Sequence, residues 1–309
     1  MARVDAILAL EELTGARAGR QRSLWSDAFR RLLKNRLAMV GLIIIAVIFV
    51  VVILGNYVDS FQRHDPRVQE FDSLQDPSSA HYFGTDQLGR DNWARVLQGT
   101  WVSVRVALGA QTIVLILGLT VGGIAALGGR AIDNVMMRIT DIGYAFPDLL
   151  FIILLRSALE GQDYPVLGDP VVQLIIAISF VGWVTVARLV RGQMLSLKER
   201  DYVLAAKAIG ARQTRVVFTH MLPNTLGPVI VALVFGIPLA IFAEAALGYI
   251  GLSVPPPMAS LGRLVADGNR YIEAQYWLVL IPAAVIALLM LCFTFIGDGL
   301  RDALDPRSH

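Results

Sequence analysis

No GxxxxGK[ST] run occurs in this sequence, so the chain carries no phosphate-cradling nucleotide loop of its own. No Gly-x-Ser-x-Gly elbow occurs either, and nothing else nominates a catalytic residue. Cysteine is nearly absent: Cys292 stands alone inside a long apolar run, which excludes an intramolecular disulfide. The four histidines (His64, His81, His220, His309) are scattered without metal-ligand spacing, so no metal site is expected. His81, near Asp86, is read as a solvated loop histidine. Charge is scarce too, at 17% of residues against 55% hydrophobic, which is too apolar for one soluble core of this length. The alternating pattern of a membrane barrel is missing. The net charge of +2 carries no nucleic-acid signal.

Long apolar runs are what the chain has instead. Six of them approach the ~20 residues that a helix needs to cross a bilayer. They fall near Leu37–Val58, Val102–Leu127, Ile139–Leu159, Val171–Leu189, Thr225–Ile250 and Trp277–Ile296. Lipid offers no partner to an unpaired backbone amide, so the expected fold is an all-α membrane protein of about six transmembrane helices. No cleavable leader is expected, because the first 36 residues are rich in charge and hold no separate apolar segment. With the N-terminus inside, 19 of the 27 Lys and Arg residues fall on the inner side. That excess places both termini in the cytoplasm.

The expected organisation follows from these spans. Residues 1–36 form a cytoplasmic segment, with a basic amphipathic helix near Arg30–Arg36 that carries Phe29, Leu32 and Leu33 on one side against lipid. Residues 37–58 are the first anchor, 59–101 an outer segment, 102–298 a five-helix core, and 299–309 an inner tail.

Within the core, residues 193–224 form a cytoplasmic insert. Tyr202, Ala205, Ala206 and Ile209 fall at i, i+3, i+4 and i+7, so they share one face of a short helix. The face is narrow and largely small, which lets another protein approach its backbone. Gly210 can take the left-handed conformation that ends such a helix. Leu222-Pro223 suits the first turn of the next one. The insert is read as a docking element.

On the outer side, Asp91 is read as an N-cap. Trp93, Val96, Leu97, Thr100 and Trp101 then line one side of a helix read as interfacial. The last outer segment, Gly251 to Tyr276, holds Pro255-Pro-Pro257 and is read as partly extended. Inside the spans, Gly118 and Gly122 form a GxxxG suited to close helix packing. Glu244 interrupts an apolar run, and a hydrogen-bonded role at a helix interface is favoured over a substrate or proton path. Arg138 and Asp141 are placed to pair. Arg188 and Arg191 are read as obeying the charge bias.

Ala205-Ala206, Gly210 and Leu222-Pro223 resemble the EAA loop of ATP-binding-cassette importer permeases, with Leu204 in place of that family's glutamate. The run Phe83-Gly-Thr-Asp-Gln-Leu-Gly-Arg-Asp91 is similar to one in the C-type permease subunit of the peptide/nickel/glutathione branch. So are Ala145-Phe-Pro147, Ala243–Gly248 and Asp298–Pro306. The resemblance implies a type I (MetI-like) importer permease in a bacterial or archaeal cytoplasmic membrane. It implies a second homologous permease subunit, on which the first span would lie. It further implies two cytoplasmic ATPase subunits, an external substrate-binding protein and a peptide substrate. ATP and Mg would be bound in the ATPases and no cofactor by this chain. Tyr202, Ala205, Ala206, Ile209, Gly210, Leu222 and Pro223 would then couple to the ATPases. Phe83, Gly84, Thr85, Asp86, Gly89, Arg90 and Asp91 become candidate contacts for an external partner. Nickel or glutathione as cargo, or an ion-gradient carrier using Glu244, are the alternatives.

Overall fold

The computed structural model describes residues 24–159, 161 and 166–305. The arginines at positions 3, 17, 20, 22 and 307, which entered the charge bias, lie outside the described residues. Among the described residues the fold is helical, with no strand beyond one isolated bridge, Thr85 to Asp91. Five helices are long and apolar enough to cross a membrane, and a bent pair makes a sixth crossing possible.

Helix α1 (Leu24–Lys34) turns Ala28 inward and leaves Phe29 and Leu33 exposed, as a helix lying on an apolar surface would. Asn35 then caps α2 (Arg36–Tyr57), its side chain accepting from the Ala38 N–H at 3.2 Å. The buried residues of α2, among them Ala38, Gly41, Ile45 and Val52, form one stripe. That stripe lies against the last helix, α11 in the numbering used below, of this same chain, where Gly41 leaves no room for a Cβ beside the Cys292 carbonyl. The first span therefore has a seat on its own subunit. Its outer end also meets the next long helix, where Gly55 lies against Leu97, and much of the rest is exposed.

A short turn, α3 (Asp59–Gln62), leads into the outer segment. Asp91 caps α4 (Asn92–Leu127) by accepting from the Ala94 N–H at 3.0 Å. The helix read as interfacial is therefore not separate: it is the first turns of a 36-residue helix that continues through the span. Nothing breaks the chain between Trp101 and Val102, so propensity carries the helix on.

The third expected span is not one helix. Helices α5 (Gly129–Tyr144) and α6 (Asp148–Leu159) meet at 91° across Ala145-Phe146-Pro147. Pro147 disfavours helical torsions at Phe146 and lacks the amide that would continue the ladder.

Helix α7 (Pro170–Lys198) makes the most extensive pairing in the fold, with α4. Gly118 and Gly122 permit it: a Cβ at Gly122 would strike the Ala187 carbonyl oxygen and lie 2.8 Å from Val190 Cβ. Helix α8 (Asp201–Ala208) follows. Helix α9 (Gln213–Tyr249) starts ten residues before Pro223, earlier than the expected re-entry. A π turn at Val217–Met221 precedes Leu222-Pro223, with the Leu222 N–H reaching back to Val217 O. Pro223, which has no N–H to donate, follows directly on this wider turn.

The outer Gly251–Tyr276 segment is less extended than expected, since it holds α10 (Leu261–Asn269), capped by Ser260. Helix α11 (Trp277–Leu304) closes the fold and runs through the start of the expected tail.

Among the described residues the two larger of three apolar clusters fill most of the bundle. The outer one joins Val96, Val102, Leu174, Ile241, Leu261 and Leu289. The inner one joins Val114, Val190, Met194, Val203, Val216 and Met221.

Candidate functional site

The inner cluster explains how α8 is held. Val203 is fully buried in it, and Ala206 and Leu222 pack at its edge. One small helix is thereby fixed to α7 and to the start of α9. The opposite side is bare. Ile209 is 87% exposed and Tyr202 44%, with Ala205 exposed between them. The face read from spacing is therefore split: Tyr202, Ala205 and Ile209 face outward, and Ala206 turns partly inward. Pro223 is exposed beside it.

Gly210 ends α8 with φ +83°. The Ala211 N–H reaches Ala206 O at 3.0 Å and the Gly210 N–H reaches Lys207 O at 3.0 Å, the paired bonds of a Schellman motif. The stop is sharp, and Ile209 projects from it.

Arginines of α7 tie α5 to this inner end. Arg188 Nη2 donates to Asp141 Oδ1 at 2.7 Å, and its guanidinium lies over the Tyr144 ring at 4.3 Å. Arg191 makes a two-pronged pair with Asp133. These two residues do more than set topology. Arg138 is a minor neighbour of Asp141, at 3.9 Å. Spacing along the chain could not show that Asp141 prefers a residue 47 positions away.

The outer motif is largely buried within this chain. Gly84, Thr85, Asp86, Gly89, Arg90 and Asp91 are all buried, and Phe83 is half-buried. In this chain they shape the loop. Asp86 Oδ1 accepts from the N–H groups of Leu88 and Arg90, at 2.8 and 2.9 Å, while Oδ2 takes Arg90 Nε at 2.7 Å. Thr85 Oγ1 donates to Asp72 O at 2.7 Å and accepts from the Gln75 N–H at 2.8 Å. Gly89, at φ +71°, sits where a Cβ would strike the Phe71 carbonyl. The exposed residues of the run are Leu88 and, just before it, Tyr82.

His81 is likewise not solvated. It is 5% exposed, its Nδ1 lies 3.1 Å from Asp91 Oδ1, and its ring stacks near Phe71 and His64. Among the described residues, His64, His81 and Asp91 could converge on a cation, with ligand atoms within 4.8 Å of one another. The His81–Asp91 hydrogen bond already accounts for that contact.

Glu244 is completely buried near the outer end of α9. Ser103 of α4 donates to it at 2.5 Å, and Ser253 donates at 2.7 Å. Both carboxylate oxygens are thus occupied, and the group ties α4 and α9 to the Pro255–Pro257 loop. Replacement by leucine strands two hydroxyls, at a cost of about 1–3 kcal/mol each. Glu244→Leu is expected to lower the melting temperature of the purified complex markedly. Glu244→Gln keeps one acceptor and is expected to assemble and still transport. Abolished uptake in a normally assembled Glu244→Gln complex would restore the proton-path reading.

A feature not read from the sequence lies at the α5–α6 break. A cavity of about 360 Å3 opens there between α4, α5, α7 and α9, with Gln111, Tyr144, Asp148 and Thr185 among its polar lining. The Ala145-Phe-Pro147 run was the available signal, but the bend needed three dimensions to become a hollow.

The chain is similar in fold to one chain of the inward-facing MetNI methionine ABC transporter (TM-score 0.55, 17% identity, 68% of this chain and 96% of that one). It is also similar to a chain of an amino acid ABC transporter with histidines (TM-score 0.52, 17% identity, 66% of this chain and 91% of that one).

Residues 118–309 match the family described as binding-protein-dependent transport system inner membrane component, and the chain belongs to that family. Residues 23–77 match the N-terminal transmembrane domain of oligopeptide transport permease C. The oligopeptide transport system permease protein OppC of Bacillus subtilis is 41% identical over 286 residues, covering 92% of this chain and 90% of the relative. The dipeptide permease DppC of the same organism is 41% identical over 288 residues, covering 92% and 86%. OppC of Escherichia coli K12 is 38% identical over 288 residues, covering 93% of each. The chain is thus a multi-pass membrane permease of the transport class.

Proposed function

We propose that this chain is a transmembrane subunit of an ATP-driven importer of dipeptides or oligopeptides. The observation that carries the reading is α8: a short, glycine-terminated helix with one bare side, anchored by Val203 in the apolar cluster between α7 and α9. Such a helix is a handle. A motor that binds its exposed side in two different ways biases the whole bundle between two states. No nucleotide loop occurs in this sequence, which supports a motor carried by other subunits. Two cytoplasmic ATPase subunits would hold ATP and Mg, an external binding protein would deliver cargo, and a second permease would complete the path. Both termini lie in the cytoplasm on this reading, which the excess of inner Lys and Arg supports. The hollow at the α5–α6 break would line part of the path. The curated relatives named for peptide transport support peptide over nickel or glutathione.

In proteoliposomes holding this chain with its second permease and ATPases, uptake of a labelled tripeptide is expected to require both ATP and the binding protein. Uptake by this chain alone, collapsing on dissipation of an ion gradient, would overturn the reading.

A further inference from the structure

A cavity of about 190 Å3 opens on the outer side, between the Gln87–Arg90 turn, Pro256 to Met258, and α10. Four arginines are among its lining residues: Arg90, Arg95, Arg263 and Arg270. Two carboxylates oppose them. Asp86 is committed to Arg90 at 2.7 Å. Asp267 lies 3.8 Å from both Arg95 and Arg263, beyond hydrogen-bond length to either. Arg270 joins no ion pair among the described residues. The walls thus carry an excess of positive charge.

Arg95 is the unusual member. It is 1% exposed, yet its Nε and Nη1 donate no hydrogen bond. Its nearest carboxylate oxygen, Asp86 Oδ2 at 3.4 Å, is the one that Arg90 already occupies. A buried cation left this way is costly. Arginine offers only donors, so whatever completes it must be an acceptor. A second, narrower cavity of about 20 Å3 is lined by Arg95 and Trp277, whose indole N–H also lacks an acceptor. That space suits a single water. The larger cavity has room for more than one water, and water would not offset the charge of its walls. A planar anion would, because the guanidinium fork matches a carboxylate in geometry as well as charge.

We propose that the larger cavity is a carboxylate-binding site, with Arg95 at its base and Arg263 and Arg270 at its rim. Only the natural ligand depends on the import reading: it would be the terminal carboxylate of a peptide. The chemistry of the site does not depend on it.

The test is titration calorimetry on the complete complex without its binding protein, at fixed ionic strength, with acetate, dialanine and dialanine amide as probes. Dialanine is expected to bind, and the amide to bind about tenfold more weakly or worse, since a charge-assisted pair is lost. Arg270→Gln, at an exposed position that folding does not need, is expected to weaken dialanine at least severalfold. Arg95→Met should weaken it further, with assembly checked by size-exclusion chromatography. Acetate binding that depends on Arg270 without dialanine binding would support the site and overturn the peptide as its ligand. Equal binding of dialanine and its amide, or no effect of Arg270→Gln on either acid, would overturn the site itself.

Discussion

Ile209→Asp, in the complete transporter, is expected to abolish import while leaving this chain folded. Ile209 is 87% exposed and belongs to no apolar cluster, so its own bundle does not need it. Substitutions at such positions change stability by about ±0.5 kcal/mol. An isoleucine this bare, beside exposed Ala205 and Tyr202 at the end of a rigid helix, is placed to fill a pocket on a partner. A buried anchor of that kind contributes on the order of 2 kcal/mol or more, and a charge in its place costs further desolvation. Uptake and substrate-stimulated ATPase activity should both fall at least about tenfold. Ala205→Trp should do the same by holding the partner away from the helix backbone. Basal ATPase activity should persist, because the proposed reading puts the nucleotide sites in partner subunits. Unchanged uptake in both variants would remove α8 from the mechanism.

The second large effect is expected at a pair of adjacent glycines. Gly122→Leu should prevent assembly, while Gly123→Ala should be tolerated. At Gly122 even a Cβ meets the Ala187 backbone oxygen, so α4 and α7 would have to part along their most intimate contact. Overpacking commonly costs about 1–3 kcal/mol, and backbone cannot yield as a side chain can. At Gly123 the nearest atom to a Cβ is Met194 Sδ at 3.8 Å, an ordinary contact with a flexible side chain. Alanine also favours the helix by about 1 kcal/mol over glycine. Yield and monodispersity of the purified complex would report both. If the two variants behave alike, the packing account of the Gly118–Gly122 face is wrong.

Much of the frame was legible from local rules. Apolar length located the spans, Gly210 and Asp91 announced their caps, and the GxxxG spacing announced a close helix contact. What escaped was set by partners distant in sequence. The Phe83–Asp91 run looks like a polar surface loop because its charges are visible and their partners are not. Asp86 and Arg90 satisfy each other, and Thr85 reaches back to Asp72. His81 looked solvated for the same reason, although Asp91 and Phe71 enclose it. Arg188 and Arg191 fitted the charge bias so well that their pairing with Asp141 and Asp133 went unread. The 91° bend was written in Pro147, but a proline in a span signals a kink of unknown size. Ala206 faced the wrong way because a short helix shows its spacing but not which side its neighbours cover.

The central claim is that α8 is a handle gripped from the cytoplasm by a separate motor. Its most direct measurement is cross-linking from a cysteine placed at position 209, in a complex whose only native cysteine in this chain, Cys292, is 1% exposed. Ile209→Cys is expected to cross-link to an ATPase subunit in inverted vesicles, with a yield that changes when ATP is added. Labelling of that cysteine by an impermeant reagent from the extracytoplasmic face, or a yield to the ATPase no greater than from an outer-loop cysteine, would contradict it.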